Sequence, residues 1–377
     1  MGYVTPQGKV PAYTPQRKAR FPFPPQGIPI VVPPPPPPLG VWSMFMYDRY
    51  HRSVTSVSAS VIYFGCDDYN VYALNADGTL KWSFSTGDRI VYASPVVDNN
   101  GVIYIGSFDN FLYALNSDGT LRWRFYAEGE VEYSAAVDLA SEVIYVGSHA
   151  YYIFAISSDG TEKWRYPTTK EASSHITLCN SDIYSCDGNG YMYHLSPDAT
   201  LICRYYAGYP IYLSAPAIDD YGVIYVGCVD YNLHAINPDC TRKWTFATGY
   251  FVVSTPSIDP SGNIYFGSFD KYLYSVKPDG TFRWSFNTEG RIYGGAALSD
   301  GVYVGSCSFY LFALTFDGTL KWSYKTGDAI YSTPSIDKDG VIFIGNIEYK
   351  MYAFNPDGTV RWTFAVGGAV NSSAAVI

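Results

Sequence analysis

The chain has 377 residues and a net charge of −9, with charged residues at only 16% and aromatics at 18%, 37 of them Tyr. That balance suits many short, half-buried strands rather than helices. No run of 18 apolar residues offers a helical membrane span, and the N-terminus lacks a hydrophobic signal core, so the sequence lends secretion no support.

Residues 1–40 hold 13 of the 24 prolines, including the run Pro33 to Pro38. Consecutive prolines favour an extended polyproline II rod of about 3.1 Å per residue without internal hydrogen bonds. Within residues 1–60, Lys9, Arg17, Lys18, Arg20, Arg49 and Arg52 face Asp48 alone, a net +5 that leaves the remainder near −14. An acidic remainder argues against nucleic-acid binding except through this basic arm, because phosphate neutralisation needs cations. The arm reads as a spacer or docking device: Phe21, Phe23 and the stretch 28–32 are apolar groups that a solvated tail has little use for. Residues 41–60 form a lead-in.

From residue 61 a single phrase recurs eight times, as in NADGTLKW ending at Trp82 and NSDGTLRW ending at Trp123. Trp164, Trp244, Trp284, Trp322 and Trp362 end further copies, and Cys203 stands where the fourth tryptophan would be. The marks lie 41, 41, 39, 41, 40, 38 and 40 residues apart, a period that belongs to propeller blades. The expected fold is all-β: an eight-bladed β-propeller of four-stranded antiparallel blades spanning residues 61–377.

Each repeat divides into four strand-like pieces. Ser, Thr, Ala, Gly and Pro dominate the first, as at Ser134-Ala135-Ala136 and Ser332-Thr333-Pro334, where eight inner strands must converge on one axis. Asp-Gly-Thr joins the third and fourth pieces as a turn whose glycine supplies positive φ. The first repeat lacks its inner strand and residues 371–376 have that pattern, so the C-terminal strand is expected to pair into blade 1 and close the ring.

Aromatics recur between the second and third strands: Tyr69, Phe111, Tyr151 with Tyr152, Tyr191, Tyr231, Tyr272, Phe309 with Tyr310, and Tyr349. Placed on one rim they would contact a protein partner or a glycan; folded inward they would only pack between blades. Residues 165–210 depart most from the repeat, with Ala199 in place of the turn glycine, and read as drift or as a docking place.

Signs of catalysis are weak. The cysteines Cys66, Cys179, Cys186, Cys203, Cys228, Cys240 and Cys307 are odd in number and lack CxxC spacing, and Cys66 and Cys228 read as small packing residues. Asp337, Asp339 and Gly340 with Glu348 misplace the glycine of a calcium loop and read as a solvated turn. His51, His149, His175, His194 and His234 are never paired at ligand spacing. Neither a nucleophile elbow nor a phosphate loop occurs. Accordingly no catalytic, cofactor-binding or metal residue is assigned.

The phrase from Ala73 through Asn75, Asp77, Gly78 and Thr79 to Trp82 resembles the tryptophan-docking motif of the pyrroloquinoline-quinone-type (PQQ-like) β-propeller repeat family. Trp42-Ser43-Met44-Phe45, Asp48 and His51 resemble the lead-in of many bacterial members. The resemblance implies that Trp82, Trp123, Trp164, Trp244, Trp284, Trp322 and Trp362 pack between adjacent blades. It also implies two branches: quinone-dependent dehydrogenases with calcium, long insertions and often a disulfide of adjacent cysteines, and scaffolds such as outer-membrane assembly lipoproteins. This chain has neither adjacent cysteines nor long insertions, and it lacks the lipoprotein signal. The expectation is a non-catalytic interaction or assembly module, within a cell envelope, virion or fibre, with a PQQ-dependent dehydrogenase and a glycan-binding propeller as alternatives.

Overall fold

A computed structural model describes Thr55 and residues 59–377. The arm and most of the lead-in, including Trp42 and His51, lie outside the described residues. Thirty-two strands, numbered β1–β32 in chain order, form eight four-stranded antiparallel sheets. Blade 1 contains β1 (Val61–Gly65), β2 (Asn70–Asn75) and β3 (Leu80–Ser85), and its inner strand is β32 (Ala375–Val376) from the far end of the sequence. Ile62 pairs with Val376 and Tyr63 with Ala375, so the expected eightfold ring and its strand closure are both present.

Burial grades outward within each blade. The strand VIYFG is wholly buried, whereas LKWSFS on the outside alternates exposed and half-buried positions. Apolar faces are shared between neighbours: Val61, Tyr63 and Val71 of blade 1 form one cluster with Ile103, Ile105 and Tyr113 of blade 2. At the closing seam Ile62 and Phe64 cluster with Phe343 and Met351. Each blade buries its apolar surface only against its neighbours, so stability depends on the ring being complete.

The inner strands make regular ladders over only two or three residues, as at Val96–Val97 and Ala136–Asp138. Steric convergence on the axis is only part of why the preceding residues are small and hydroxylated. The Ser94 amide donates to Ser134 Oγ (2.7 Å), Ser134 to His175 Nδ1 (2.9 Å) and Ala215 to Thr255 Oγ1 (3.1 Å). Gly295 donates to Thr333 Oγ1 (2.8 Å), Thr333 to Ser373 Oγ (3.0 Å) and Ser373 back to Ser94 Oγ (2.9 Å). Side chains of one inner strand thus satisfy buried amides of the previous one, a task the blade's own ladder leaves undone.

In the turn read as solvated, Asp339 is exposed but Asp337 is buried, as is its counterpart Asp98. Asp98 is 8% exposed and Asp337 4%. Asp98 accepts from the amides of Asn100 and Val102 and from the Tyr104 hydroxyl. Asp337 accepts from the amides of Asp339, Val341 and Ala59. Glu348 is engaged elsewhere, accepting from Tyr352 and the Gly327 amide. These carboxylates are buried turn caps, and Asp337 and Glu348 share no ligand.

Candidate functional site: blade seams, rim and channel mouth

The seams are built on one device. Trp82 Nε1 donates to the Ser117 carbonyl of the next blade at 3.0 Å, and its ring lies 2.7 Å from where a Cβ on Gly119 would sit. Trp123, Trp164, Trp244, Trp284 and Trp322 donate to Ser158, Pro197, Pro278, Phe316 and Pro356, and Trp362 donates across the closure to Ala76. Gly78, with φ +85, therefore meets two demands: the turn needs a left-handed residue, and Trp362 needs the space a side chain would fill. Behind each indole stands a buried ring of its own blade, such as Tyr63 beside Trp82 with centroids 5.6 Å apart.

At the fourth seam the tryptophan and the glycine are both replaced, and their replacements are bonded. Cys203 forms a disulfide with Cys240, with Cα atoms 5.9 Å apart. Cys240 occupies the turn-glycine position of the next repeat with φ +62. Sequence reasoning marked Cys203 as a lost tryptophan and missed its partner. The available signal was that the residue against which that tryptophan would have packed is itself the cysteine in NPDCTRKW.

The histidines are held by ordinary contacts. His234 Nε2 lies 2.9 Å from Asp230 and its Nδ1 lies 2.9 Å from the Tyr205 hydroxyl. It replaces a tyrosine that elsewhere reaches an equivalent acid, as Tyr72 reaches Asp68 at 2.7 Å. Cys228, Asp230 and His234 are close enough to hold an ion. Burial pushes the Cys228 thiol up to about 12, however, and both His234 nitrogens are partnered, so hydrogen bonding accounts for the group. His194 stacks on Tyr184 with centroids 4.3 Å apart and pairs with Asp182. His175 is buried in the inner ring, where it accepts from Ser134.

The shared strand order puts every turn between second and third strands on one face. The rim aromatics occupy two registers. Tyr69, Tyr151, Tyr231, Phe309 and Tyr349 sit in the turn itself with φ from 69 to 74, and all five are exposed, from 37% for Phe309 to 52% for Tyr349. Phe111, Tyr191 and Tyr272 lie one residue later, each opening its strand, and the first two are half-buried. Tyr152 and Tyr310 also open strands.

On the axis of this face Tyr92, Ser94, Thr255, Tyr293, Tyr331 and Asn371 line a small pocket whose lining contains no carboxylate. A calcium-bound quinone needs acidic ligands over the channel; none lines this pocket, while Glu132 and Glu171 line a neighbouring one with Tyr133, His149, Tyr151 and Tyr212. The Tyr92 hydroxyl is held well above the phenol range, first by burial and then by Glu132, Tyr293, Tyr331 and Asp67 around it. Next to the pocket His149 stands 3.1 Å from Glu130 and 2.9 Å from Glu132, and its imidazole is held above its usual range, chiefly by the bond to Glu132. Among the described residues no helix is long and apolar enough to cross a membrane.

Comparison with known proteins places these features. No curated protein matches the sequence. BamB from Moraxella catarrhalis superposes with a TM-score of 0.61 at 16% identity, covering 82% of this chain and 92% of that one. The computationally designed Ika8 protein superposes at 0.66 with 13% identity, covering 87% and 98%. Quinohemoprotein alcohol dehydrogenase from Comamonas testosteroni reaches 0.69 at 11% identity, covering 88% and 74%. At these identities the likeness is one of fold, shared by an assembly factor, a design and an enzyme. The sequence profile described as outer membrane protein assembly factor BamB matches residues 56–199 and 269–376, and with eight blades in place, seven of them carrying the seam tryptophan, the chain belongs to this PQQ-like β-propeller family.

Proposed function

We propose that the protein acts without catalysis as an interaction or assembly module, a structural component of a larger particle such as a cell envelope, virion or fibre, tethered by its N-terminal arm. The observation that carries this reading is the set of five exposed aromatics in left-handed turns on one face. A bulky residue there costs about 1 kcal/mol or more relative to glycine. Solvent exposure gives nothing back for that cost, whereas contact with a protein does. The Cys203–Cys240 disulfide fits folding in an oxidising compartment.

The axis pocket itself is lined without a carboxylate, although Glu132 and Glu171 line its neighbour, and a quinone-dependent dehydrogenase is the second reading. A glycan-binding propeller would use the same aromatics, and retention on a glycan array would support it. The test is substitution of the rim: Tyr69→Ser, Tyr231→Ser, Tyr272→Ser and Tyr349→Ser together should abolish partner binding or self-association while leaving the fold intact. Unchanged association would remove the rim from the account.

A further inference from the structure

The rim is unequal around its circumference. From blade 5 towards the axis the rings form one unbroken series. Tyr231 stacks on Tyr250 with centroids 5.3 Å apart, and Tyr250 meets Phe251 at 4.4 Å. Phe251 faces Phe269 at 6.2 Å, Phe269 meets Tyr293 at 4.5 Å, and Tyr293 meets Tyr331 at 4.6 Å on the axis pocket. All six keep solvent-exposed surface, and the Arg291 guanidinium lies 5.3 Å from the Phe269 ring centre. Around the same mouth lie Glu130, Glu132, Glu171 and Asp67, none of them fully exposed. The mouth also holds acceptors without donors: Asn371, 8% exposed and lining the pocket, and Asp67 each have a buried side-chain oxygen that receives no hydrogen bond.

Such a surface calls for a ligand with flat apolar faces at short intervals and proton donors or positive charge beside them. Proline rings on a polyproline II rod present the first, because the rod keeps its shape without ordering cost and stacks into aromatic slots. Basic residues present the second. Residues 17–38 of this chain contain both, with Arg17, Lys18 and Arg20 followed by Pro33 to Pro38. We infer that the aromatic series from Tyr231 to Tyr331 and the acidic channel mouth beside it form a docking groove for the basic, proline-rich arm of a second copy of this chain. A neutral glycan would use the rings but bring no positive charge to the acids, of which Glu130 and Glu132 share the single His149 and Glu171 pairs with Lys170. The inference deepens the assembly reading and rests on it.

The test is sedimentation equilibrium of the full-length protein and two variants, with a synthetic peptide of residues 17–40 as competitor. One variant carries Pro33→Ser, Pro35→Ser and Pro37→Ser, changes outside the ring; the other carries Tyr231→Ser and Tyr250→Ser at exposed positions. The wild type should associate, each variant should weaken association tenfold or more, and the peptide should dissociate the wild type. Association that survives the proline substitutions overturns the inference but leaves an assembly module working through another surface. A wild type that stays monomeric overturns it too, and if the rim substitutions also leave every partner bound, the broader reading fails with it. Glycan retention lost on Tyr250→Ser, without any effect of the arm, would assign the groove to carbohydrate and likewise overturn the inference.

Discussion

Cys203 is bonded to Cys240 across the seam where the repeat's tryptophan and turn glycine are both missing. A covalent link has replaced a packing contact at equivalent positions, which makes the divergent fourth blade a re-engineered joint. Cys203 Sγ even sits 3.7 Å from the Pro238 carbonyl, the place where an indole N–H would donate.

Breaking that link should be costly. The two cysteines are 37 residues apart, and closing a loop of that length restricts the unfolded chain by about 4 kcal/mol in the chain-entropy treatment. Reductant or Cys203→Ser should lower the thermal midpoint clearly. Cys203→Trp combined with Cys240→Gly should restore much of it under reducing conditions, because it rebuilds the joint used elsewhere. Thermal melts with and without reductant check both.

Ring closure rests on few atoms. The Ser372 hydroxyl lies 2.9 Å from the Gly65 amide and 2.8 Å from the Gly65 carbonyl, both buried, and β32 supplies the inner strand of blade 1. Removing residues 370–377 exposes a sheet edge and the Phe64–Phe343 cluster together, so calorimetry should record a sharp loss of stability. Ser372→Ala alone should cost about 1–3 kcal/mol for orphaning buried backbone groups.

Much of this was legible in advance. Blade number, strand closure and the seven tryptophans follow from a repeat whose phrase includes the residues that make the seam. What escaped were relationships between repeats. The pairing of Cys203 with Cys240 needs the knowledge that an indole packs on the next repeat's glycine. The serine-to-amide ring at Ser94, Thr333 and Ser373 needs the offset between neighbouring inner strands. The rim was read in one register although Tyr69 and Phe111 occupy different ones, because repeats differing by a residue blur where a turn ends.

Acid should loosen all blades together. The turn carboxyls Asp77, Asp118, Asp159, Asp198, Asp239, Asp279, Asp317 and Asp357 are each held below the ordinary 3.8 by hydrogen bonds from the neighbouring Ser or Thr hydroxyl and turn amide. Folded values lying below the unfolded one mean that this stabilisation is complete above the unfolded value and is lost as pH falls through the folded values. Glu348 adds to the trend: burial opposes ionisation, but bonds from Tyr352, Asn346, the Gly327 amide and Lys350 bring it to about 2. The thermal midpoint should hold at neutral pH and decline below about pH 4; a decline beginning near pH 6 would point to other groups.

Tyr349 separates stability from binding. With φ +69 and 52% exposure it contributes little to the core, so Tyr349→Gly should leave stability unchanged or raise it by about 1 kcal/mol. The same change should weaken partner binding or self-association. Lost stability with binding intact would make the tyrosine a packing residue.

The central claim is that this propeller assembles and does not catalyse, and the most direct measurement is equilibrium dialysis of the full-length protein against pyrroloquinoline quinone with calcium. The account predicts no saturable uptake, even with Glu132 and Glu171 beside the axis pocket. Stoichiometric uptake accompanied by alcohol-dependent dye reduction would contradict it.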